Sequence, residues 1–328
     1  MLNKMKLKHL SLDEFYEQYG DEDKCRKYFL SLRYPDGMEC DKCCHRHIYY
    51  LKSRDCYECA NCKHHMSLTA NTIMENTHLS YHTWLLAIYF LSHDQISVNK
   101  LSHKLGISYK ATRLLCRKIK YAMHLRELNR SLDGEVEFDG FEIGRNKNYE
   151  NRLINSSKTL ANIAVKTEEI SVNQEAKGYK RRKVKGVLMD IVPDLTFESD
   201  YSSATKMIIK GSTLLTDNKA SYKKMSEYNL VNENSFPKMN PNHLKCLHIV
   251  ISNFKSYVLG IHHGIAKPYM ILTMSEFLWR INHRFCGKDL IDHLSKQIVK
   301  TKPRTCKQFV DYFKNEDKVF NYVGCTTC

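Results

Sequence analysis

The sequence predicts an α/β protein in two parts, a helical, cysteine-rich N-terminal part and a strand-containing C-terminal part. Three observations predict this organisation. Six cysteines fall within residues 40–62, and apolar residues then recur at helical spacing between residues 84 and 122. From about residue 131 the pattern changes to the alternation of apolar and polar residues that is typical of strands. We therefore expect a domain boundary near residues 131–134.

The composition is that of a globular protein and narrows the classes of function. The chain has 328 residues, of which 42% are hydrophobic and 27% charged, and this excludes a disordered or collagen-like protein. The longest apolar run covers residues 84–91, far short of the roughly 20 residues that cross a bilayer. The N-terminus lacks the apolar segment of a signal peptide. We therefore expect a cytoplasmic protein with no membrane partner, associated with the nucleoid if bacterial.

The charge of the chain favours a polyanionic partner. Lys and Arg number 51 against 36 Asp and Glu, which gives a net charge of +15 with His neutral. Nucleic acid is the usual partner of such a protein, because Lys and Arg side chains that neutralise phosphates release counterions.

Four of the clustered cysteines are spaced like the ligands of a structural zinc site. Cys40 and Cys43 form one C-x2-C pair, Cys59 and Cys62 form another, and fifteen residues separate the pairs. Two tight turns that each present two thiolates suit one tetrahedral Zn²⁺ ion. Alternative ligands stay open at Cys44, Cys56, His45, His47, His64 and His65. The sequence predicts a zinc ribbon at residues 33–76, after an N-terminal helical segment at 1–32.

Residues 77–126 predict three helices in an arrangement like a helix-turn-helix. Between the second and third helices, Gly106, Ile107 and Ser108 supply a glycine turn, an apolar plug and a serine N-cap. The third helix carries basic and aromatic residues suited to the DNA major groove, namely Tyr109, Lys110, Arg113, Arg117, Lys118 and Lys120. The alternative is an ordinary three-helix unit with solvated lysines.

Residues 131–285 contain the predicted strands and the candidate catalytic carboxylates. In the first strand, Val136 and Phe138 share one face while Glu137 and Asp139 share the other. Further strands are predicted at 159–165, 184–192 and 213–216. The last of these ends at Asp217, and open α/β sheets place their sites at the carboxyl ends of strands. The alternative for Asp217 is a helix N-cap.

Basic residues accompany this part of the chain. A dense cluster between residues 177 and 185 predicts either a phosphate contact or a solvated loop, and it comprises Lys177, Lys180, Arg181, Arg182, Lys183 and Lys185. A helix is predicted over residues 249–258 with Asn253 at its polar edge. In a final helix, Thr273 and Glu276 have capping-box spacing, and Arg280, His283 and Arg284 lie on a face that meets either DNA or solvent.

In this order, the parts resemble the insertion-sequence transposases of the IS1595 type, whose catalytic part is called the ISXO2-like transposase domain. The resemblance covers about residues 33–285. It lies in the ribbon, the three helices, VEFD in the first strand, and a strand ending in TD that a tyrosine follows a few residues later. Its most specific motifs are HIVISNFK at 248–255, LGIHHG at 259–264 and EFLWRINHR at 276–284.

The resemblance implies an RNase H-like fold, in which a mixed sheet is flanked by helices and an acidic triad binds two Mg²⁺ ions. Matched residue by residue, the triad falls on Asp139, Asp217 and Asn253. We expect Asp139 to bridge both ions, Asp217 to hold one, and Asn253 to offer a neutral amide oxygen. The family commonly has Asp-Glu at the first motif, whereas Gly140 follows Asp139 here. The alternative is that Glu137 or Glu142 supplies the extra carboxylate. Glu137 lies about 7 Å from Asp139 along the strand.

The sequence therefore predicts a DNA transposase. The ribbon and the helix-turn-helix-like segment are expected to recognise the terminal inverted repeats of an insertion sequence, and residues 131–285 to cut and join DNA. The expected cofactors are two Mg²⁺ ions and one Zn²⁺ ion, and the expected partners are double-stranded DNA (element ends and target) and further copies of the chain on DNA. DNA contacts are predicted at Lys110, Arg113, Arg117, Lys180, Arg181, Arg182, Lys255, Arg280 and Arg284.

A rival prediction is a catalytically lapsed transposase descendant that acts as a zinc-ribbon DNA-binding regulator. Gly140 and the neutral Asn253 favour this alternative. Residues 286–328 lie outside the resemblance and predict only a basic C-terminal tail.

Overall fold

The computed structural model describes residues 10–144, 158–170, 181–217, 219–220, 222–232, 244–262, 265, 267–305 and 308–309. The chain divides into two compact units, one of residues 1–125 with 283–328, and one of residues 126–282. In the predicted basic cluster between residues 177 and 185, Lys177, Lys180 and the side chain of Arg181 lie outside the described residues. None of the described helices is long and apolar enough to cross a membrane.

The first unit consists of helices and a small three-stranded antiparallel sheet. Its helices are α1 (Leu12–Tyr19), α2 (Glu22–Arg33), α3 (Tyr81–His93), α4 (Val98–Leu105), most of α5 (Tyr109–Leu128) and α9 (Leu290–Lys300), and its strands are β1 (Ile48–Leu51), β2 (Cys56–Cys59) and β3 (His65–Met66). The helix boundaries follow from local capping. Ser11 and Glu14 form a capping box at the start of α1, and the Ser80 hydroxyl accepts the Thr83 amide at the start of α3.

Helix α3 is the centre of this unit. Ten of its thirteen residues are buried, because it packs against α2, α4 and α9 on different sides. The Glu22 carboxylate of α2 accepts the backbone amides of Tyr81 and His82, which lie in the first turn of α3. Helix α9 belongs to the stretch that the sequence predicts only as a basic tail. Its Asp292 accepts a hydrogen bond from Tyr28 of α2.

The turn between α4 and α5 has the predicted features. Gly106 lies in the left-handed region with φ of 65°, and the Ser108 hydroxyl accepts the Ala111 amide. The prediction of a basic face on α5 is wrong for two of its residues. Lys118 and Lys120 are only 8% and 7% exposed, and the Lys118 ammonium donates to the Glu75 carbonyl. Long aliphatic stems allow lysines to be buried in this way.

The second unit is built on a five-stranded mixed sheet. In order across the sheet its strands are β6 (Arg181–Val192), β5 (Thr159–Ile170), β4 (Glu135–Ile143), β7 (Thr213–Thr216) and β8 (Asn229–Asn232), and its helices are α6 (Phe197–Met207), α7 (Lys245–His262) and α8 (Lys267–Asn282). Strand β4 is central, antiparallel to β5 and parallel to β7. All four strands predicted in this half are present.

The two faces of β4 are covered by different helices. Val136 and Phe138 join Ala204 and Met207 of α6 in one buried apolar cluster. On the opposite face, the Phe141 ring lies 6.3 Å from that of Phe254 of α7. The central strand is thus covered on both faces, and it continues beyond the end of its pairing with β7 while still paired with β5.

The predicted start of the final helix is wrong. Thr273 and Glu276 do not form a capping box, because α8 begins at Lys267 and Thr273 lies inside it, where its hydroxyl donates to the Tyr269 carbonyl. Proline is tolerated in the first turn of a helix, where its missing N–H has no partner to lose. Pro268 in the sequence is the signal for the earlier start.

Candidate zinc centre and candidate active site

The four predicted cysteine ligands converge on one point. The Cys40 and Cys62 Sγ atoms are 3.6 Å apart and those of Cys43 and Cys59 are 3.5 Å apart, and all four Sγ atoms lie within 4.8 Å of one another. Bonds of about 2.3 Å from a tetrahedral zinc ion would place the sulfur atoms about 3.8 Å apart. The cluster therefore fits a structural Zn²⁺ ion.

Two similar backbone turns present these thiolates. The Cys40 amide donates to the His45 carbonyl and the Cys59 amide to the His64 carbonyl, at 2.9 and 3.0 Å. The residue after each pair, Cys44 or Lys63, has a positive φ of 56° or 59°. Cys44 thus takes the same place in its turn as Lys63, and its side chain is exposed.

The alternative ligands do not join the cluster. Cys56 is half-buried on β2 outside it, and His65 binds Glu58 instead, with 3.1 Å between His65 Nε2 and Glu58 Oε2. None of the four alternative histidines belongs to the cysteine group within the described residues.

The two predicted catalytic aspartates lie near one another where the parallel pairing of β4 with β7 ends. The register pairs Glu137 of β4 with Leu215 of β7; Asp139 lies two residues further along β4, and Asp217 directly follows β7. Burial, followed by the negative charge of Asp217, raises the pKa of Asp139 to about 6. A carboxyl group whose pKa is raised by burial and by a neighbouring carboxylate marks a candidate functional site.

One oxygen of Asp139 is held by two donors. Its Oδ1 accepts the Gly140 amide at 2.7 Å and the Tyr222 hydroxyl at 3.3 Å. The Tyr222 ring is fully buried, and burial with the nearby charge of Asp139 raises the pKa of Tyr222 well above its ordinary value. Tyr222 is therefore a neutral donor that fixes the orientation of the carboxylate.

Asp217 starts a tight turn rather than a helix. Its Oδ1 accepts the Lys219 amide at 3.1 Å, two residues further on. The predicted alternative is an ordinary helix N-cap; within the described part of this segment, the next helical turn after Asp217 is a short 3₁₀ helix that begins at Tyr222.

The third predicted triad member lies on α7. Asn253 is exposed and precedes Phe254, which packs near Phe141 of β4. Among the described residues, Asn253 makes no hydrogen bond to Asp139 or Asp217. Its place in the triad stays a prediction.

The two alternative carboxylates have other partners. Glu137 is 2% exposed, and its Oε2 accepts the Leu247 amide of α7 at 2.7 Å. Glu142 is exposed and binds the Lys158 ammonium at 2.6 Å. Glu137 thus ties α7 to the central strand, and Glu142 forms a surface ion pair.

Gly140 has little room for a side chain. A Cβ at this position would lie 2.8 Å from Leu195 Cδ2 and 3.1 Å from Asn162 Oδ1. The glutamate that commonly follows the first aspartate in the family would need both neighbours to move.

A buried ion pair beside the aspartates was missed by sequence reasoning. The Lys219 ammonium lies 2.6 Å from Asp200 Oδ2 and also donates to the Leu195 carbonyl at 3.0 Å. Asp200 of α6 is fully buried, and Asn162 Nδ2 donates to its other oxygen at 3.1 Å. Asp200 and Asn162 carry no sequence signal, because a lone aspartate in a helix and an asparagine in a strand match no motif.

The predicted DNA-contacting residues fall into different environments. Lys110 and Arg113 are exposed at the start of α5 and Arg117 is half-buried. Lys255 is exposed and lines a cavity of about 220 Å³ between the end of β4 and α7. Lys180 and the Arg181 side chain lie outside the described residues.

Three arginines that were predicted to contact DNA interact with other side chains of the protein. Arg182 pairs with Glu135 at 3.4 Å. Arg280 is only 12% exposed and lies 3.4 Å from the buried Glu276, with its guanidinium over the Tyr257 ring. Arg284 stacks on Phe285, and burial lowers the pKa of this arginine.

Two family matches agree with this geometry. Residues 131–282 match the ISXO2-like transposase domain, and residues 20–65 match the transposase zinc-ribbon domain. The first match includes both clustered aspartates, and the second includes all four clustered cysteines. No curated protein and no solved structure gives a significant match to the chain.

Proposed function

We propose that this chain, which matches an IS1595-type transposase in both its zinc-ribbon and its α/β region, is a DNA transposase that cleaves and joins DNA at the ends of an insertion sequence. The observation that carries the proposal is the pair of aspartates. Asp139 lies in β4 and Asp217 directly follows the adjacent parallel strand β7, and each is two residues beyond the last pair of the register, Glu137 with Leu215. Both aspartates lie within the residues that match the transposase domain. The mixed sheet with its first strand at the centre supports an RNase H-like catalytic fold.

The residues of this site fit divalent magnesium. Carboxylate oxygens are hard ligands of the kind that Mg²⁺ prefers. The pKa of Asp139 is raised by burial and then by the charge of Asp217, and a bound cation would offset the repulsion between the two carboxylates. Two bound ions would supply activation of the attacking water or 3′-hydroxyl and stabilisation of the leaving oxygen. Asp139 and Asp217 would hold them, and Asn253 would add a neutral oxygen.

The protein groups around the aspartates have distinct tasks. The Tyr222 hydroxyl and the Gly140 amide orient the Asp139 carboxylate through its Oδ1. Glu137 fastens α7, which carries Asn253, to the same strand that carries Asp139. The reaction requires this pre-arrangement, because catalysis by bound ions depends on groups that are placed before the substrate arrives.

Recognition of the terminal repeats is assigned to the first unit. The zinc ribbon and the exposed start of α5, with Lys110 and Arg113, offer positive charge for the phosphate backbone. Lys255 lies two residues after Asn253 and is suited to a phosphate near the reacting bond. Several copies are expected to assemble on the two DNA ends.

The test is a cleavage and strand-transfer assay with terminal-repeat duplex and Mg²⁺. The wild type should nick and join the DNA, whereas Asp139→Ala and Asp217→Ala should bind it with unchanged affinity and leave it intact. Glu142→Gln, on the same strand, is the matched control and should cleave normally. Cleavage by both the Asp139→Ala and the Asp217→Ala variants would contradict the proposed catalytic role of these aspartates.

A second function is favoured by one observation, the crowded Gly140. The usual acidic neighbour of the first aspartate is absent here, and its space is filled by Leu195 and Asn162. A lapsed transposase that regulates through DNA binding would bind the same duplex without cleaving it under any metal tested. The same assay therefore separates the two functions.

A further inference from the structure

Lys219 is a cation beside the two carboxylates that are proposed to bind metal. It lies two residues after Asp217, and its backbone amide donates to that aspartate. Its ammonium is 5.0 Å from the centroid of the Tyr222 ring, whose hydroxyl contacts Asp139. The positive charge of Lys219 also lowers the pKa of Asp139, against the larger raising effects of burial and Asp217.

Asp200 holds this ammonium in place. The pair is 2.6 Å apart, with the carboxylate fully buried and the lysine side chain 32% exposed. Asn162 donates to the second oxygen of Asp200, and the Leu195 carbonyl accepts a further bond from the ammonium. Lys219 is thus tied to partners on the α6 side of the site.

We propose that Asp200 is a positioning residue, which holds the Lys219 ammonium aside from Asp139 and Asp217 and so keeps these carboxylates open to divalent cations. The inference rests on the proposed function of the two aspartates. Without the Asp200 charge, Asp139 and Asp217 remain as anionic groups beside Lys219. An ammonium seated between them competes with a metal ion, because like charges exclude one another from one site.

The role is testable in the full-length protein without DNA. Mn²⁺ binding is measured by electron paramagnetic resonance of the free ion in wild type, Asp139→Asn, Asp200→Asn and Asp200→Asn/Lys219→Met. Asp200→Asn should weaken binding at least about tenfold. The double variant should restore binding to within about threefold of the wild type, since the competing ammonium is gone.

The matched control is a second buried aspartate that pairs with a lysine. Asp190 of β6 is 8% exposed and lies 3.5 Å from Lys206 of α6, and the Ser203 hydroxyl donates to the same carboxylate. Asp190→Asn should therefore bind Mn²⁺ like the wild type, even if it melts at a lower temperature. If the loss of any buried carboxylate weakens Mn²⁺ binding, Asp190→Asn and Asp200→Asn would bind the ion equally weakly, and this result would contradict the proposal.

The outcomes separate this inference from the proposed function. If wild type and Asp139→Asn bind Mn²⁺ equally, the metal site itself is refuted. If Asp139→Asn loses binding but Asp200→Asn does not, or if the double variant stays as weak as Asp200→Asn, only the role of Asp200 is refuted. If Asp200→Asn fails to fold, the Lys219→Met variant is measured instead. It should bind Mn²⁺ at least as tightly as the wild type, and a loss of Mn²⁺ binding in it would contradict the proposal.

Discussion

Removing one zinc ligand should unfold the ribbon locally, and Cys59→Ser is the sharpest such change. Cys59 is fully buried, and its Sγ lies 3.5 Å from that of Cys43. Within residues 36–66, the buried apolar side chains other than cysteines are Tyr57 and Met66. A side chain such as Met66 contributes about 1.5–3 kcal/mol, whereas a structural zinc ion contributes about 10–16 kcal/mol in small peptides. A bound zinc ion would therefore be the dominant stabiliser of this segment.

The assay combines zinc stoichiometry by mass spectrometry with hydrogen exchange. Cys59→Ser should lose the ion and the amide protection of residues 36–66, while the helices α2 and α3 stay protected. Cys56→Ser, three residues earlier on the same strand and outside the cluster, should keep one zinc ion per chain. Retention of zinc and protection by Cys59→Ser, or their loss in Cys56→Ser, would refute the reasoning.

Two further predictions concern stability and DNA binding. Burial, with the charge of Arg304, lowers the pKa of His124 to about 4. As the pH falls, the His124 imidazole is therefore protonated in the unfolded chain before it is protonated in the folded protein. The free energy of unfolding should consequently drop by about 2 kcal/mol between pH 7 and pH 5. Urea titrations measure the free energy of unfolding at each pH. His124→Gln should lose less of this free energy between pH 7 and pH 5 than the wild type, whereas His103→Gln, which replaces an exposed imidazole, should lose as much as the wild type. An equal loss in both variants would count against a buried, neutral His124. Arg113→Ala should weaken DNA binding in fluorescence anisotropy, whereas Arg280→Ala should leave affinity unchanged. Arg280→Ala should instead cost about 3–5 kcal/mol of stability, because it removes the cation that lies beside the buried Glu276 carboxylate. The reverse pattern would contradict the placement of Arg280.

Local patterns in the sequence predicted the elements and most of the zinc site. Alternation located the strands, and the glycine turn before Ser108 was placed correctly because αL geometry favours glycine. The choice among six clustered cysteines also followed from C-x2-C spacing. The backbone explains why Cys44 is excluded, since it occupies the left-handed turn position rather than a ligand position.

Long-range contacts account for what the sequence did not predict. The pairing of Asp200 with Lys219 joins residues on different elements, and no spacing rule connects them. The basic character of α5 was overestimated for Lys118, whose burial depends on packing against the Trp84 region. Nothing in the sequence indicated that Arg280 pairs with the buried Glu276, and the predicted contact of Arg280 with DNA stays a prediction.

Asp139 and Asp217 are proposed together to hold the metal ions of a DNA-cleaving site. An anomalous difference map of crystals that contain the protein, terminal-repeat DNA and Mn²⁺ would show these ions directly. Strong peaks are expected in contact with the carboxylates of both aspartates and next to a DNA phosphate. Peaks elsewhere, or none at these carboxylates in the DNA-bound protein, would contradict the proposal.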